Sequence, residues 1–168
     1  MPAQLTELTR LAKEVGALLE QHGVLLATAE SCTGGWVAEA ITRVPGSSAW
    51  FERGFITYSD AAKQDMLGVS AATLAAFGAV SEEVVREMAN GALKHSRAQV
   101  SIAVSGIAGP GGGTPAKPVG SVCLAWAGSG RRLRSQVVRF SGGRNEVRRQ
   151  AVITALCGLM EFLNAPMA

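Results

Sequence analysis

The stretch TAESCTGGW contains a serine, Ser31, in a setting where it could act as a nucleophile. It joins a short apolar run, a predicted strand, to a predicted helix. At such a junction backbone N–H groups lie unpaired and the helix dipole is positive, so the same place could hold an oxyanion. The donors would come from Cys32, Thr33, Gly34 and Gly35. The alternative is that Ser31 or Thr33 only caps the helix.

A serine nucleophile needs a base, and the two histidines of the chain are poor candidates. His22 and His95 lie in the last turns of predicted helices, where a cation on the helix dipole is the ordinary explanation. Their placement also weakens the rival nucleophile Cys32, because a cysteine mechanism normally needs a nearby histidine. A lysine with a lowered pKa can serve instead. The candidate is Lys63, which follows the predicted strand ending in Tyr58, although a solvated surface lysine is the alternative.

Two further features could bind an anion. The loop SGIAGPGGG, residues 105–113, follows a predicted strand, and its backbone N–H groups could cradle a phosphate. It lacks the ending of a Walker A loop. Arg144 and Arg148 lie one helical turn apart at the start of the last predicted helix, the unfavourable end for cations. A phosphate or carboxylate ligand would explain them, and so would a salt bridge to Glu146.

Hydrophobic periodicity and capping residues predict the elements that position these side chains. Helices are expected over residues 4–22, from Ser31 or Thr33 to about 43, and over 60–67, 70–77, 81–96 and 144–163; strands are expected over 24–30, 50–58, 99–105, 121–127 and 133–140. Intermixed helices and strands predict a three-layer α/β/α sandwich with a mainly parallel mixed sheet, in which the two late strands add an antiparallel pair. Ligands bind beyond the carboxyl ends of such strands, where these features fall.

Composition limits the possible classes of protein. The 168 residues fit one domain over residues 1–168, and 48% hydrophobic residues argue against disorder. The net charge is +3, and the one dense basic stretch, residues 131–149, contains a single aromatic residue, which argues against nucleic-acid binding. Three widely spaced cysteines favour neither a disulfide framework nor a zinc site. With no signal peptide and no membrane-length apolar run, the reducing cytoplasm is the expected location.

Five stretches together resemble the C-terminal domain of the CinA family over about residues 5–163: TAESCTGG, GSSAWFERGFITYSDAAK, GAVSEEVVREMANGAL, SGIAGPGGG and KPVGSV. The resemblance implies an α/β/α sandwich. It also implies deamidation of nicotinamide mononucleotide to nicotinate mononucleotide with release of ammonia. No cofactor is expected, because hydrolysis of an amide needs no redox group and no cluster of residues in the sequence is typical of a metal site. Because the sequence lacks the molybdopterin-binding-like N-terminal domain of two-domain members, it is similar to the stand-alone form.

The resemblance also implies roles for particular residues. The family's serine matches Ser31, and its TY-x(4)-K pattern matches Tyr58 and Lys63. In the expected mechanism a neutral Lys63 takes the proton of Ser31, and Tyr58 passes protons or holds Lys63. Ribose and phosphate would be held by Ser105, Gly106, Gly109 and Gly111 with Arg144 or Arg148. The family often has threonine at the position of Ser105, so this chain keeps the hydroxyl and loses a methyl group.

A different class of protein stays open, a nucleotide-binding regulatory module of the same family that has lost catalysis. Ammonia release from nicotinamide mononucleotide distinguishes the two. In either case the expected partner is a small-molecule nucleotide, with no nucleic acid and no membrane. Family habit and the apolar helices also predict a homo-oligomer.

Overall fold

A computed structural model describes residues 2–166, with side chains described from residue 7. In chain order the elements are α1 (Pro2–His22), β1 (Leu26–Glu30), α2 (Trp36–Thr42), a 3-10 turn (Ser47–Ala49), β2 (Phe51–Ile56), α3 (Asp60–Leu67), α4 (Ala71–Phe77), α5 (Glu82–Lys94), β3 (Val100–Gly106), β4 (Ser121–Gly128), β5 (Arg132–Arg139) and α6 (Arg144–Asn164). The sequence predicted all of these helices and strands, and the largest error is the start of α2. Within the described range, no helix is long and apolar enough to cross a membrane.

The five strands form one mixed sheet in the order β2-β1-β3-β4-β5. Strand β1 pairs in parallel with both β2 and β3. Strand β4 pairs antiparallel with both β3 and β5, so it alone runs against the other four. The predicted antiparallel pair of late strands is confirmed, and β3–β4 is a second one. The reason is the connection after β3, a glycine-rich loop without the crossover helix that a parallel return requires.

Helices cover both faces of the sheet, which confirms the three-layer sandwich. Helices α1, α2 and α6 pack on the face that carries large side chains, including Leu26, Ile102 and Trp126. Helices α3, α4 and α5 pack on the face that carries small ones, including Ala29 and Ala103. The alternation follows from strand geometry, since successive side chains point to opposite faces.

The face with small side chains lets α5 lie close to the sheet and to α3. The Ser101 hydroxyl donates to the Ala89 carbonyl of α5 at 2.7 Å. A Cβ atom at Gly91 of α5 would overlap the carbonyl oxygen of Leu67, at the end of α3. Glycine is therefore required at this contact, which fixes the position of α3 relative to the sheet.

Candidate active site

Ser31 follows β1 directly and is 8% exposed. Its amide donates to the Val104 carbonyl of β3 at 2.9 Å. The helix does not start here, because residues 32–35 form turns and α2 begins at Trp36 with Gly35 as its N-cap. Gly34 and Gly35 have φ values of 61° and 101°, a left-handed conformation that cannot continue into a helix. The prediction that Ser31 or Thr33 caps a helix is therefore wrong. Residues 31–35 are called the Ser31 turn below.

The N-terminus of α2 is occupied by a carboxylate of the chain itself. Glu30 is 1% exposed, and its carboxylate accepts hydrogen bonds from the amides of Val37 at 2.8 Å and Ala38 at 3.1 Å. It also accepts one from the Thr33 hydroxyl at 2.6 Å. An anion at this position satisfies unpaired amides and the helix dipole. The amides of Val37 and Ala38 are therefore taken, and the predicted oxyanion site is left with the amides of residues 32–35, which precede the helix.

Amide donors for an oxyanion remain within the Ser31 turn. The Gly34 amide is already used, since it donates to the Ser31 carbonyl at 3.0 Å. Among the described residues of the turn, the amides of Thr33 and Gly35 have no hydrogen-bond partner, and the Cys32 amide has only its own thiol. Of the predicted set Cys32–Gly35, three amides therefore have no main-chain acceptor, and those of Cys32 and Thr33 lie next to the candidate nucleophile.

Lys63 of α3 is buried beside Ser31. It is 1% exposed, and its Nζ lies 3.1 Å from Ser31 Oγ. The same Nζ donates to the Thr57 carbonyl at 2.8 Å. Burial lowers the pKa of Lys63 because it removes water from the charged form, and the nearby Asp60 carboxylate raises it in part. A lysine of this kind has a larger neutral fraction and can accept a proton from a serine hydroxyl.

The rival nucleophile Cys32 is buried beside the same site. Burial raises the pKa of its thiol to about 11, even though the positive charges of Arg148 and Lys63 act in the opposite direction. The thiolate is the reactive form of cysteine, so a thiol of this kind is a poor nucleophile at neutral pH. Desolvation therefore outweighs the neighbouring charges and favours Ser31.

A cavity of about 240 Å³ lies over Ser31 at the carboxyl ends of the parallel strands β1, β2 and β3. Of the predicted site residues, Ser31, Cys32, Tyr58, Lys63, Ser105, Gly106 and Arg144 line it. The structure adds Asp60, Ala79, Val80 and Ala108. The three features of the sequence therefore meet at the edge of the sheet where ligands bind in α/β folds.

The two candidate arginines have different positions. Arg144 lines the cavity and donates to the Gly109 carbonyl at 2.9 Å and to the Tyr58 hydroxyl at 3.0 Å. Arg148 does not line it and instead donates to carbonyls of the Ser31 turn. The salt bridge to Glu146 is made by neither of them but by Arg149, at 2.9 Å. Arg144 is therefore the arginine placed to meet a ligand in the cavity.

Several predicted residues lie elsewhere or have other partners. Thr33, Gly34 and Gly35 line a second cavity of about 610 Å³ beside Trp36, and Gly111 is exposed. The buried Ser105 hydroxyl donates to the Ala79 carbonyl at 2.8 Å, so its oxygen is left as an acceptor.

Tyr58 does not hold Lys63. Its side chain is 62% exposed, and its hydroxyl accepts a hydrogen bond from Arg144. The partner of Lys63 besides Ser31 is the main-chain carbonyl of Thr57. A role for Tyr58 in proton transfer stays a prediction.

Besides the apolar residues of the cavity wall, sequence reasoning missed three residues that contribute oxygen atoms to the site: Glu30, Asp60 and Thr57. Glu30 is a charged residue that ends an otherwise apolar strand, and this was the available signal. Asp60 lies one helical turn before Lys63, so helical spacing could have placed it nearby. Thr57 contributes a main-chain carbonyl, for which side-chain type gives no signal.

The fold and this site define an α/β/α protein with a buried serine–lysine pair at the carboxyl edge of its parallel strands. The model of the CinA C-terminal domain matches residues 8–163. The chain belongs to this family.

Several relatives support the assignment. The chain is 55% identical to a protein of Pseudomonas putida named nicotinamide-nucleotide amidohydrolase PncC, and the match spans 92% of this chain and 96% of that protein. It is also 55% identical to the protein of the same name in Escherichia coli K12, and that match spans 90% of this chain and 92% of the relative. A solved structure of the competence/damage inducible protein CihA from Agrobacterium tumefaciens has a TM-score of 0.91 and 46% identity, covering 93% of this chain and 95% of that one.

Proposed function

We propose that this chain is a nicotinamide-nucleotide amidohydrolase that converts nicotinamide mononucleotide to nicotinate mononucleotide and ammonia. The curated relatives that carry this name match nearly their whole length. The observation that carries the chemistry is the distance of 3.1 Å between Lys63 Nζ and Ser31 Oγ in a buried setting. A nucleophile and a base within hydrogen-bond reach, beside amides that have no main-chain acceptor, favour acyl transfer.

In the proposed mechanism, neutral Lys63 accepts the hydroxyl proton of Ser31 while Ser31 Oγ bonds to the carboxamide carbon. The amides of Cys32 and Thr33 donate to the oxyanion that forms. Lys63 returns the proton to the amide nitrogen, the C–N bond breaks, and ammonia leaves an ester on Ser31. Water then attacks the ester with Lys63 as base, which releases the carboxylic acid and restores the serine hydroxyl.

The charges of the cavity fit this substrate. Nicotinamide mononucleotide carries a positive pyridinium ring and a negative phosphate group. The cavity is lined by one carboxylate, Asp60, and by the guanidinium of Arg144. We assign Asp60 to the pyridinium and Arg144 to the phosphate, with the Ser105 oxygen as an acceptor for a ribose hydroxyl.

We also propose a homo-oligomer that works in the cytoplasm. Ile56, the last residue of β2, and Tyr58, which lines the cavity, are both exposed and would be covered by a second copy. The three cysteines are unpaired, as expected of a chain in a reducing compartment. Light scattering of the purified chain tests the first point, and a mass that equals one chain would contradict it.

The test of function is incubation of purified chain with nicotinamide mononucleotide, with ammonia and nicotinate mononucleotide both measured. We expect both products in equal amounts. Binding of the nucleotide without either product would contradict the enzyme and favour the regulatory module.

A further inference from the structure

The guanidinium of Arg148 lies on the side of the Ser31 turn where two carbonyls point. Its Nε donates to the Cys32 carbonyl at 3.0 Å, and its Nη2 donates to the Thr33 carbonyl at 3.2 Å. We propose that Arg148 is a positioning residue for catalysis, which holds the oxyanion-binding amide of Thr33 in place directly and that of Cys32 through the Gly34–Ser31 hydrogen bond. The inference rests on the proposed function and adds a residue to it.

The carbonyls that Arg148 binds determine where the amides of the turn point. In a planar trans peptide the C=O and the following N–H point in opposite directions. Because Arg148 binds the Cys32 carbonyl, the Thr33 amide points away from the guanidinium. The same holds for the Thr33 carbonyl and the Gly34 amide, and that amide does point away from Arg148, to the Ser31 carbonyl. Arg148 therefore fixes the orientation of two successive peptide planes, Cys32–Thr33 and Thr33–Gly34. The Gly34 amide then holds the Ser31 carbonyl, whose peptide carries the Cys32 amide.

The charge of Arg148 adds to this effect. A cation on a carbonyl oxygen polarises the peptide and makes its N–H a stronger donor, an effect of hydrogen-bond chains in a low dielectric. The guanidinium itself is held in place by Trp36, with its carbon 5.4 Å from the ring centroid. On another part of the turn, Glu30 holds the Thr33 hydroxyl. Gly34 and Gly35 give the main chain of the turn many possible conformations, so contacts from outside the turn are needed to hold one of them.

These contacts favour Arg144 over Arg148 as the phosphate ligand. Arg148 lines the larger cavity beside Trp36 and not the cavity over Ser31, which Arg144 lines. An arginine that bound phosphate would affect KM and the preference for a nucleotide. One that aligns oxyanion donors affects kcat, because those donors act mainly in the transition state.

The experiment compares Arg148→Met with Arg149→Met. Arg149 is the next residue of α6, and its guanidinium pairs with Glu7 and Glu146 instead of the Ser31 turn. With nicotinamide mononucleotide, we expect kcat of R148M to fall by about 100-fold, the scale for misplaced catalytic groups, while KM changes little. The acid limb of the pH profile should stay in place because the Ser31–Lys63 pair is intact. R149M should keep wild-type kcat.

A second variant and a second substrate keep the test decisive. R148K keeps the charge but not the two-pronged geometry, so it should be folded and still impaired. Acylation of Ser31 by an activated acetate ester, followed by mass spectrometry, should slow in R148M to a similar degree. Equal rates for R148M and R149M on either substrate would overturn the role of Arg148, and so would a loss confined to KM. A wild-type chain that deamidates no nucleotide but acylates Ser31 would instead overturn the proposed substrate.

Discussion

Burial is the property that distinguishes the reactive side chains of this site from their ordinary counterparts. Lys63 is a lysine without access to water, so its pKa is lowered, and the same lack of water raises the pKa of Cys32. Desolvation always disfavours the charged form, so one environment favours a neutral base and a neutral thiol. Three predictions follow from individual residues of this site.

Ser31→Ala should abolish ammonia release from nicotinamide mononucleotide. The fold should stay intact, because the Ser31 side chain caps no helix and the hydrogen bond from its main-chain amide to the Val104 carbonyl is kept. Cys32→Ala should keep substantial activity, since its thiol is protonated at neutral pH. Ammonia release measured on folded protein checks both variants. An inactive, folded Cys32→Ala beside an active Ser31→Ala would assign the attack to sulfur.

The activity should depend on pH through Lys63. The neutral form of Lys63 is the base, so kcat/KM should rise with pH until the pH exceeds the pKa of Lys63 and then level off. That pKa should lie below the ordinary 10.5 of lysine. The Asp60 carboxylate raises that pKa, so Asp60→Asn should move the limb to lower pH. A pH series of kcat/KM for both proteins makes the comparison. A limb that stays in place in D60N would show that Lys63 is not the titrating group.

Arg144→Ala should weaken the preference for the nucleotide over nicotinamide riboside, which lacks the phosphate. A charge-assisted contact contributes about 1.5–3 kcal/mol, so the ratio of kcat/KM for the nucleotide to kcat/KM for the riboside should fall by about 10- to 150-fold. Arg148→Met is the matched comparison from the same helix and should keep the ratio. If the wild-type chain uses both substrates equally well, no phosphate is recognised and the assignment of Arg144 fails.

At the scale of elements, helix α5 packs against strands whose side chains on that face are small, and its glycine meets the end of α3. This contact fixes the helix that carries Lys63. The distance between Lys63 and Ser31 therefore depends on packing at the end of α3, remote from the reacting atoms.

Gly91→Ala should destabilise the fold because the new Cβ would overlap the Leu67 carbonyl. Overpacking of this kind costs about 1–3 kcal/mol in the free energy of unfolding. The control is Gly111→Ala, at a glycine with nothing within 4 Å of the added Cβ, which should change that free energy by less than about 0.5 kcal/mol. Urea unfolding measures both, and equal stabilities would mean that α5 can shift freely.

At the scale of the whole molecule, the cavity is lined by residues from several elements that meet at one edge of the sheet. Ser31 follows β1, Tyr58 follows β2, Lys63 lies on α3, and Arg144 begins α6. Residues this far apart in sequence form a site only in the folded state, so ligand binding is linked to global stability.

The inactive Ser31→Ala chain should therefore melt at a higher temperature with nicotinamide mononucleotide than without it. At a ligand concentration of 100 times Kd, the stabilisation should be about 2.7 kcal/mol. The riboside should give a smaller shift at the same concentration, since it lacks the group assigned to Arg144. Thermal melts followed by circular dichroism measure this. No shift with the nucleotide, for a chain whose wild type is active, would place the binding site elsewhere.

The sequence by itself determined the elements, the layers and the short list of reactive residues. Hydrophobic periodicity and the caps Ser70 and Ser81 are local signals, so they place helices and strands within a few residues. The sheet then brings the ends of β1, β2 and β3 to one edge, which made Ser31 and Ser105 predictable as neighbours.

Only the tertiary structure decided which of two similar arginines faces the cavity, whether Lys63 is buried, and which acid occupies the end of α2. Arg144 and Arg148 lie on the same side of α6, so no periodicity separates them; the packing of α6 on the sheet and against α2 does. The burial of Lys63 depends on where α5 holds α3. These are contacts between elements distant in sequence, and their energies depend on geometry that composition and spacing do not contain.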